Sequence, residues 1–107
     1  MKIKKLPPTE GSPERTAPNM TKTFSFIKKN AIKAWKLHKD MTMNLVVPVG
    51  EIKFNFYDLR KDSSTFNQNF QITVSEKNYS RITVPPNIWF GFKGLGSYPN
   101  LLVNIAN

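Results

Sequence analysis

The residue best suited to moving protons in this chain is its one histidine, His38, flanked by Lys36 and Lys39. Imidazole is the side chain whose unperturbed pKa lies near neutrality. A neutral imidazole lining a β-walled cleft is equipped to take a proton from carbon next to a carbonyl; the alternative is a surface histidine with no role. Six aromatic residues, Trp35, Tyr57, Trp89, Phe90, Phe92 and Tyr98, either stack on a sugar or base or fill the core. Trp89 and Phe92 stand three apart and so face opposite sides of a strand, which sends one of them to a cavity or a partner. Composition removes other chemistries. The chain has no cysteine, hence no disulfide, thiolate nucleophile or Cys-ligated zinc. One histidine cannot build a multi-histidine metal site. No glycine loop cradles phosphate and no pair of carboxylates has a useful spacing.

The elements that must position these residues read as short strands. Thr23 to Phe26 alternates, and Ile32–Leu37 divides into Ile32, Ala34 and Lys36 on one face with Lys33, Trp35 and Leu37 on the other. Leu45–Val49 is a continuous apolar run, expected of a strand buried on both faces. Glu51–Asp58 alternates cleanly, with Ile52, Phe54 and Phe56 opposed to Lys53, Asn55 and Tyr57. Further strands fit Phe70–Val74, Arg81–Val84, Trp89–Phe92 and Leu101–Ile105. Turn signals at Arg60–Ser64, Ser75–Asn78, Pro85–Asn87 and Gly94–Pro99 separate them. No segment carries a helical stripe, so the spacing predicts an antiparallel sandwich, jelly roll or barrel.

Charge is unevenly spread over the 107 residues. Of 16 basic residues, ten lie up to Lys39 against Glu10 and Glu14, so nearly all of the net +9 sits in the first third. That suits an anionic ligand, or simply solubility. Residues 1–23, with Pro7, Pro8, Pro13 and Pro18, read as a flexible basic arm, and 24–107 as one domain. No apolar run reaches the ~20 residues of a membrane span. The start has no apolar stretch typical of a secretory signal. A cytoplasmic domain is the expectation.

Two stretches carry a resemblance. Val49-Gly50-Glu51-Ile52 through Tyr57-Asp58-Leu59-Arg60 to Ser63-Ser64-Thr65-Phe66, and then Ile82-Thr83-Val84-Pro85-Pro86-Asn87-Ile88-Trp89-Phe90-Gly91-Phe92, resemble the dTDP-4-dehydrorhamnose 3,5-epimerases, which are cupins. The likeness runs from about Lys36 to Ala106. It implies proton abstraction beside the 4-keto group of a nucleotide-linked deoxysugar and reprotonation from the other face, with no metal or cofactor. Leu37-His38 matches the family's base. Elsewhere the chain departs from the pattern: Phe90 stands for a second histidine, Met43-Asn44 for a lysine and Val103 for the acid tyrosine, while the carboxylate that orients the base falls beyond Asn107. Lys33–Gly50 and Pro85–Phe92 are more similar to a group of shorter cupins, also called sugar epimerases.

The resemblance implies an all-β, cupin-type jelly roll or double-stranded β-sandwich acting as a metal-independent epimerase or isomerase of a nucleotide-linked 4-keto-6-deoxysugar, in surface-polysaccharide synthesis. His38 would be the base and Tyr57 or Tyr98 the replacement acid. Trp35 and Trp89 would wall the sugar, and Asn44 would line the remodelled pocket. Arg60, with Lys33, Lys36 and Lys39, would hold the diphosphate; the alternative for Arg60 is a structural pair with Asp58 or Asp62. A homodimer is implied, with Phe24–Ile27 crossing the interface. The competing function is a non-catalytic sugar-nucleotide or carbohydrate-binding cupin, favoured by Phe90 and Val103. Single-stranded nucleic acid on the basic arm is a lesser option.

Overall fold

The alternation in Glu51–Asp58 organises the molecule. Ile52, Phe54, Phe56 and Asp58 turn inward and are buried, while Glu51, Lys53, Asn55 and Tyr57 face out. The computed structural model describes residues 2–5, 21–97 and 99–106, and these form nine strands. They are β1 (Lys2–Lys5), β2 (Thr21–Ile27), β3 (Ile32–Leu37), β4 (Met43–Val49), β5 (Glu51–Asp58), β6 (Asn69–Ser75), β7 (Ser80–Val84), β8 (Ile88–Gly94) and β9 (Asn100–Ala106). Two antiparallel sheets result, ordered β1-β7-β4-β9-β2 and β3-β8-β5-β6. This is the expected all-β sandwich.

Between the sheets, Phe54, Phe56, Phe90 and Phe92 form a slab with neighbouring ring centres 5.9–6.5 Å apart. Met43, Leu45, Val47, Ile82, Val84 and Leu102 close on it from the other sheet. Each fully buried ring or aliphatic chain contributes about 1.5–3 kcal/mol. The continuous run in β4 is explained by burial on both sides. Leu45 and Val47 point inward, while Val46 packs outward against Val103, with Tyr79, Leu101 and Ile105 around them. Phe24 and Phe26, 57% and 60% exposed, extend that outer apolar face along β2. Among the described residues no helix is long and apolar enough to cross a membrane.

Two sequence expectations are corrected here. Within the expected arm 1–23, Lys2–Lys5 is an edge strand on β7, with Ile3 opposite Ile82, and β2 already begins at Thr21. The unpaired edge of β7 offers backbone partners that no composition argument registers. Residues 6–20 lie outside the described residues. The simple alternation of β3 also fails, because its register shifts between Lys33 and Lys36. Lys33 and Lys36 consequently lie opposite Phe92 and Phe90 on the inner side, and Leu37 lies opposite Trp89 on the outer side. Ala34 closes on Gly91, where a Cβ would come within 2.8 Å of the Ala34 Cβ.

Candidate active site

His38 follows directly on β3, one position beyond the Leu37–Trp89 pair, which puts it in the same inward row as Ile88 and Asp58. Its ring lies against buried Phe90, with centroids 5.7 Å apart and planes tilted by 30°. The backbone is pinned by the proline turn. Pro85 and Pro86 lead into Asn87, whose φ of 67° suits asparagine, and the Asn87 N–H donates to the His38 carbonyl at 2.8 Å. The imidazole therefore stands at one mouth of the sandwich, half-buried, with an aromatic floor. Lys36 lies on the same side of β3, its Nζ 5.8 Å from the Phe92 ring centre.

At the same end a cavity of about 320 Å³ is lined by Ile3, Phe56, Asp58, Arg60, Thr65, Gln68, Phe70 and Ile88. Arg60 holds Asp58 in a fork, Nε to Oδ1 at 3.0 Å and Nη2 to Oδ2 at 2.9 Å, and its backbone N–H adds a third bond at 2.9 Å. Ser63 Oγ donates to the same carboxylate at 2.7 Å, and Thr65 Oγ1 does so as well. The Arg60 guanidinium, outweighing burial and aided by the two hydroxyls, holds the Asp58 carboxyl far below the usual carboxylate range. A carboxyl depressed in the folded state contributes stability above its unfolded pKa of about 3.9, and that contribution is lost as pH falls below it. The urea midpoint of the wild type should therefore fall more steeply than that of Asp58→Asn between about pH 4 and pH 2. Parallel curves would refute the assignment.

On the other side of the same sheet, Trp35, Tyr57, Leu59 and Trp89 line an open groove of about 480 Å³. The Tyr57 hydroxyl donates to Asn67 Oδ1 at 2.7 Å. Trp89 thus takes the outward side and Phe92 the core, as their spacing requires.

The residues expected to form one pocket are distributed over three surfaces. His38, Lys36 and Arg60 belong to the interior side and its mouth. Trp35, Tyr57 and Trp89 belong to the outer groove, so the sheet separates Tyr57 from His38, and Tyr57 is not a partner acid. The same separation stops Trp35 and Trp89 from walling a sugar held at His38. Asn44 is on the outer face of the other sheet, where its Nδ2 donates to the Ile105 carbonyl at 3.2 Å and Thr83 Oγ1 donates to its Oδ1 at 2.8 Å. It clamps three strands and does not line the interior. Arg60 makes the structural pair with Asp58 and also lines the mouth. Tyr98 lies outside the described residues. Sequence reasoning missed Asn104. Opposite Leu45 and so facing inward, its Oδ1 is, among the described residues, the one buried side-chain polar atom without a hydrogen-bond partner. Its place next to Val103, which the resemblance sets at the acid position, was the available signal. Among the described residues no cluster of three or more His, Cys, Asp or Glu could hold a metal ion.

Among the described residues the two antiparallel sheets form a cupin-type sandwich. A dTDP sugar isomerase from Desulfovibrio desulfuricans G20 is 32% identical and superimposes over 98% of this chain and 74% of its own, with a TM-score of 0.85. The chain belongs to the dTDP-sugar isomerase and epimerase family. The probable low-salt glycan biosynthesis epimerase Agl13 of Haloferax volcanii is 33% identical over 82 residues, 76% of this chain and 53% of that protein. The chain thus spans about half the length of the curated relative it matches. The dTDP-4-dehydrorhamnose 3,5-epimerase of Bacillus anthracis str. Ames, crystallised with TDP and PPi bound, is 25% identical over 80% of this chain and 51% of its own, with a TM-score of 0.71. No protein-family model matches the chain.

Proposed function

We propose that this chain epimerises or isomerises a nucleotide-linked 4-keto-6-deoxysugar by metal-independent acid–base chemistry, with His38 as the base. The observation that carries the reading is the His38 ring held against Phe90 at the sandwich mouth. Removal of a proton beside the ketone leaves an enolate, and return of a proton to the opposite face inverts that carbon. A base on an aromatic floor, fixed through its own carbonyl, supports the first half of this step. Lys36 and Arg60 serve the diphosphate. Tyr98 is the remaining candidate acid. A homodimer through Phe24–Ile27 is supported by the exposed Phe24 and Phe26 rings on a continuous apolar face. A cytoplasmic place of action accords with a nucleotide-activated substrate.

Incubation with dTDP-4-keto-6-deoxyglucose in deuterated water tests this by NMR. Deuterium should enter C3 or C5, and His38→Ala should slow its entry by about a hundredfold or more. No incorporation at high enzyme concentration would reject turnover. A second reading, binding without turnover, draws support from Phe90, a buried apolar residue where the resemblance implies a histidine. It predicts dTDP affinity with no exchange in either the wild type or His38→Ala.

A further inference from the structure

Nothing in the epimerase reading uses the outward face of the β3-β8-β5-β6 sheet, yet its side chains are ordered by chemical type. The strand register sets them in three rows. Trp89 stands opposite Tyr57, which stands opposite Asn69, and Gly91, Asn55 and Gln71 form the next row. Lys93, Lys53 and Thr73 form the third. Rows on one face are about 7 Å apart along the strands. An aromatic end is therefore followed by an amide band and then by a cationic end, some 14 Å away at twice that spacing.

Trp35 stands 52% exposed over the aromatic end, where it joins Tyr57, Leu59 and Trp89 in one groove. Lys53 and Lys93 are direct cross-strand partners, an arrangement of like charges that weakens a sheet. Among the described residues the one ion pair is Arg60–Asp58, so neither lysine has a carboxylate at ion-pair distance; Glu51, two residues from Lys53 on the same face, does not reach it. Tyr57 is fixed by its bond to Asn67, so the aromatic surface is set before any ligand arrives.

From the rows we infer that this face is a glycan-binding platform for an acidic oligosaccharide, separate from the mouth that holds His38. A pyranose ring has an apolar C–H face that lies on indole, hydroxyls that pair with side-chain amides, and, in a uronic acid, a carboxylate for the lysines. One sugar cannot touch both ends, so the ligand is a chain of sugars. The inference does not depend on the epimerase reading.

Both tryptophans of the chain line this groove, so intrinsic tryptophan emission reports on it directly. Titration of the full chain with hexagalacturonate should change that emission saturably, and neutral maltohexaose should bind about tenfold more weakly. Lys53→Gln with Lys93→Gln, or an ionic strength of about 0.3 M, should erase the difference between the two sugars. Trp35→Ala should weaken hexagalacturonate about tenfold, equivalent to about 1.4 kcal/mol, with an unchanged melting temperature, since the side chain is half exposed. No saturable response, equal binding of the neutral hexamer, or displacement of hexagalacturonate by dTDP at the same signal would each overturn the proposal. Because this signal needs no turnover, its failure is distinct from a failure of the deuterium experiment.

Discussion

Asn100→Leu is expected to lower the stability of the protein by about 3–5 kcal/mol, against the 5–15 kcal/mol that typically separates folded from unfolded domains. Asn100 is fully buried at the start of β9, where its Nδ2 donates to the Ile27 and Gly96 carbonyls, each at 2.9 Å, and its Oδ1 accepts from the Glu51 N–H at 2.9 Å. One amide thereby joins the end of β2, the β8–β9 loop and the start of β5. Leucine has a similar volume and would leave two carbonyls and one N–H without partners, each costing about 1–3 kcal/mol when buried. Gly50 shows how tightly this junction is built. Its φ of 89° lies in the left-handed region, and a Cβ there would overlap Asn100 Oδ1. Urea unfolding measures the loss, and a change under about 1 kcal/mol would show that the junction is not a stability centre.

Much of this architecture can be read from residue order, and the failures have definite causes. The inward set Ile52, Phe54 and Phe56 already implies that Tyr57 faces out, by the same alternation that identified the strand. The face of His38 was not accessible in that way. The shift between Lys33 and Lys36 reverses the parity of β3, and it depends on Ala34 settling over Gly91 of a strand more than fifty residues away. Asn44 and Asn104 illustrate the same limit. Both are polar residues in apolar strands, and only the neighbouring strands decide that one is satisfied on the outer face while the other points inward unpaired. Local pattern specifies which side a residue takes within its strand, whereas function here depends on which strands meet.

Asp58→Ala should destabilise the protein by about 2–4 kcal/mol and loosen the segment from Arg60 to Phe66 that borders the mouth. The carboxylate is the common acceptor of that segment. Arg60 reaches it through backbone and side chain, and Ser63 and Thr65 through their hydroxyls, while Ser63 Oγ also accepts from the Thr65 N–H at 3.1 Å and from Arg60 Nη2 at 3.1 Å. Removing it leaves several donors without their acceptor. The loss stays below that of a fully buried ion pair because the Arg60 side chain is 30% exposed and can regain water, whereas that of Asp58 is only 7% exposed. Arg60→Ala should cost less than Asp58→Ala, since the hydroxyl bonds to the carboxylate remain. The double variant should cost less than the sum of the two, by about 1 kcal/mol or more. Additive losses would mean that the fork contributes nothing beyond the separate burial of its members. Faster backbone amide exchange confined to residues 60–66 in Asp58→Ala would locate the effect at the mouth, and uniform exchange across the sandwich would contradict it.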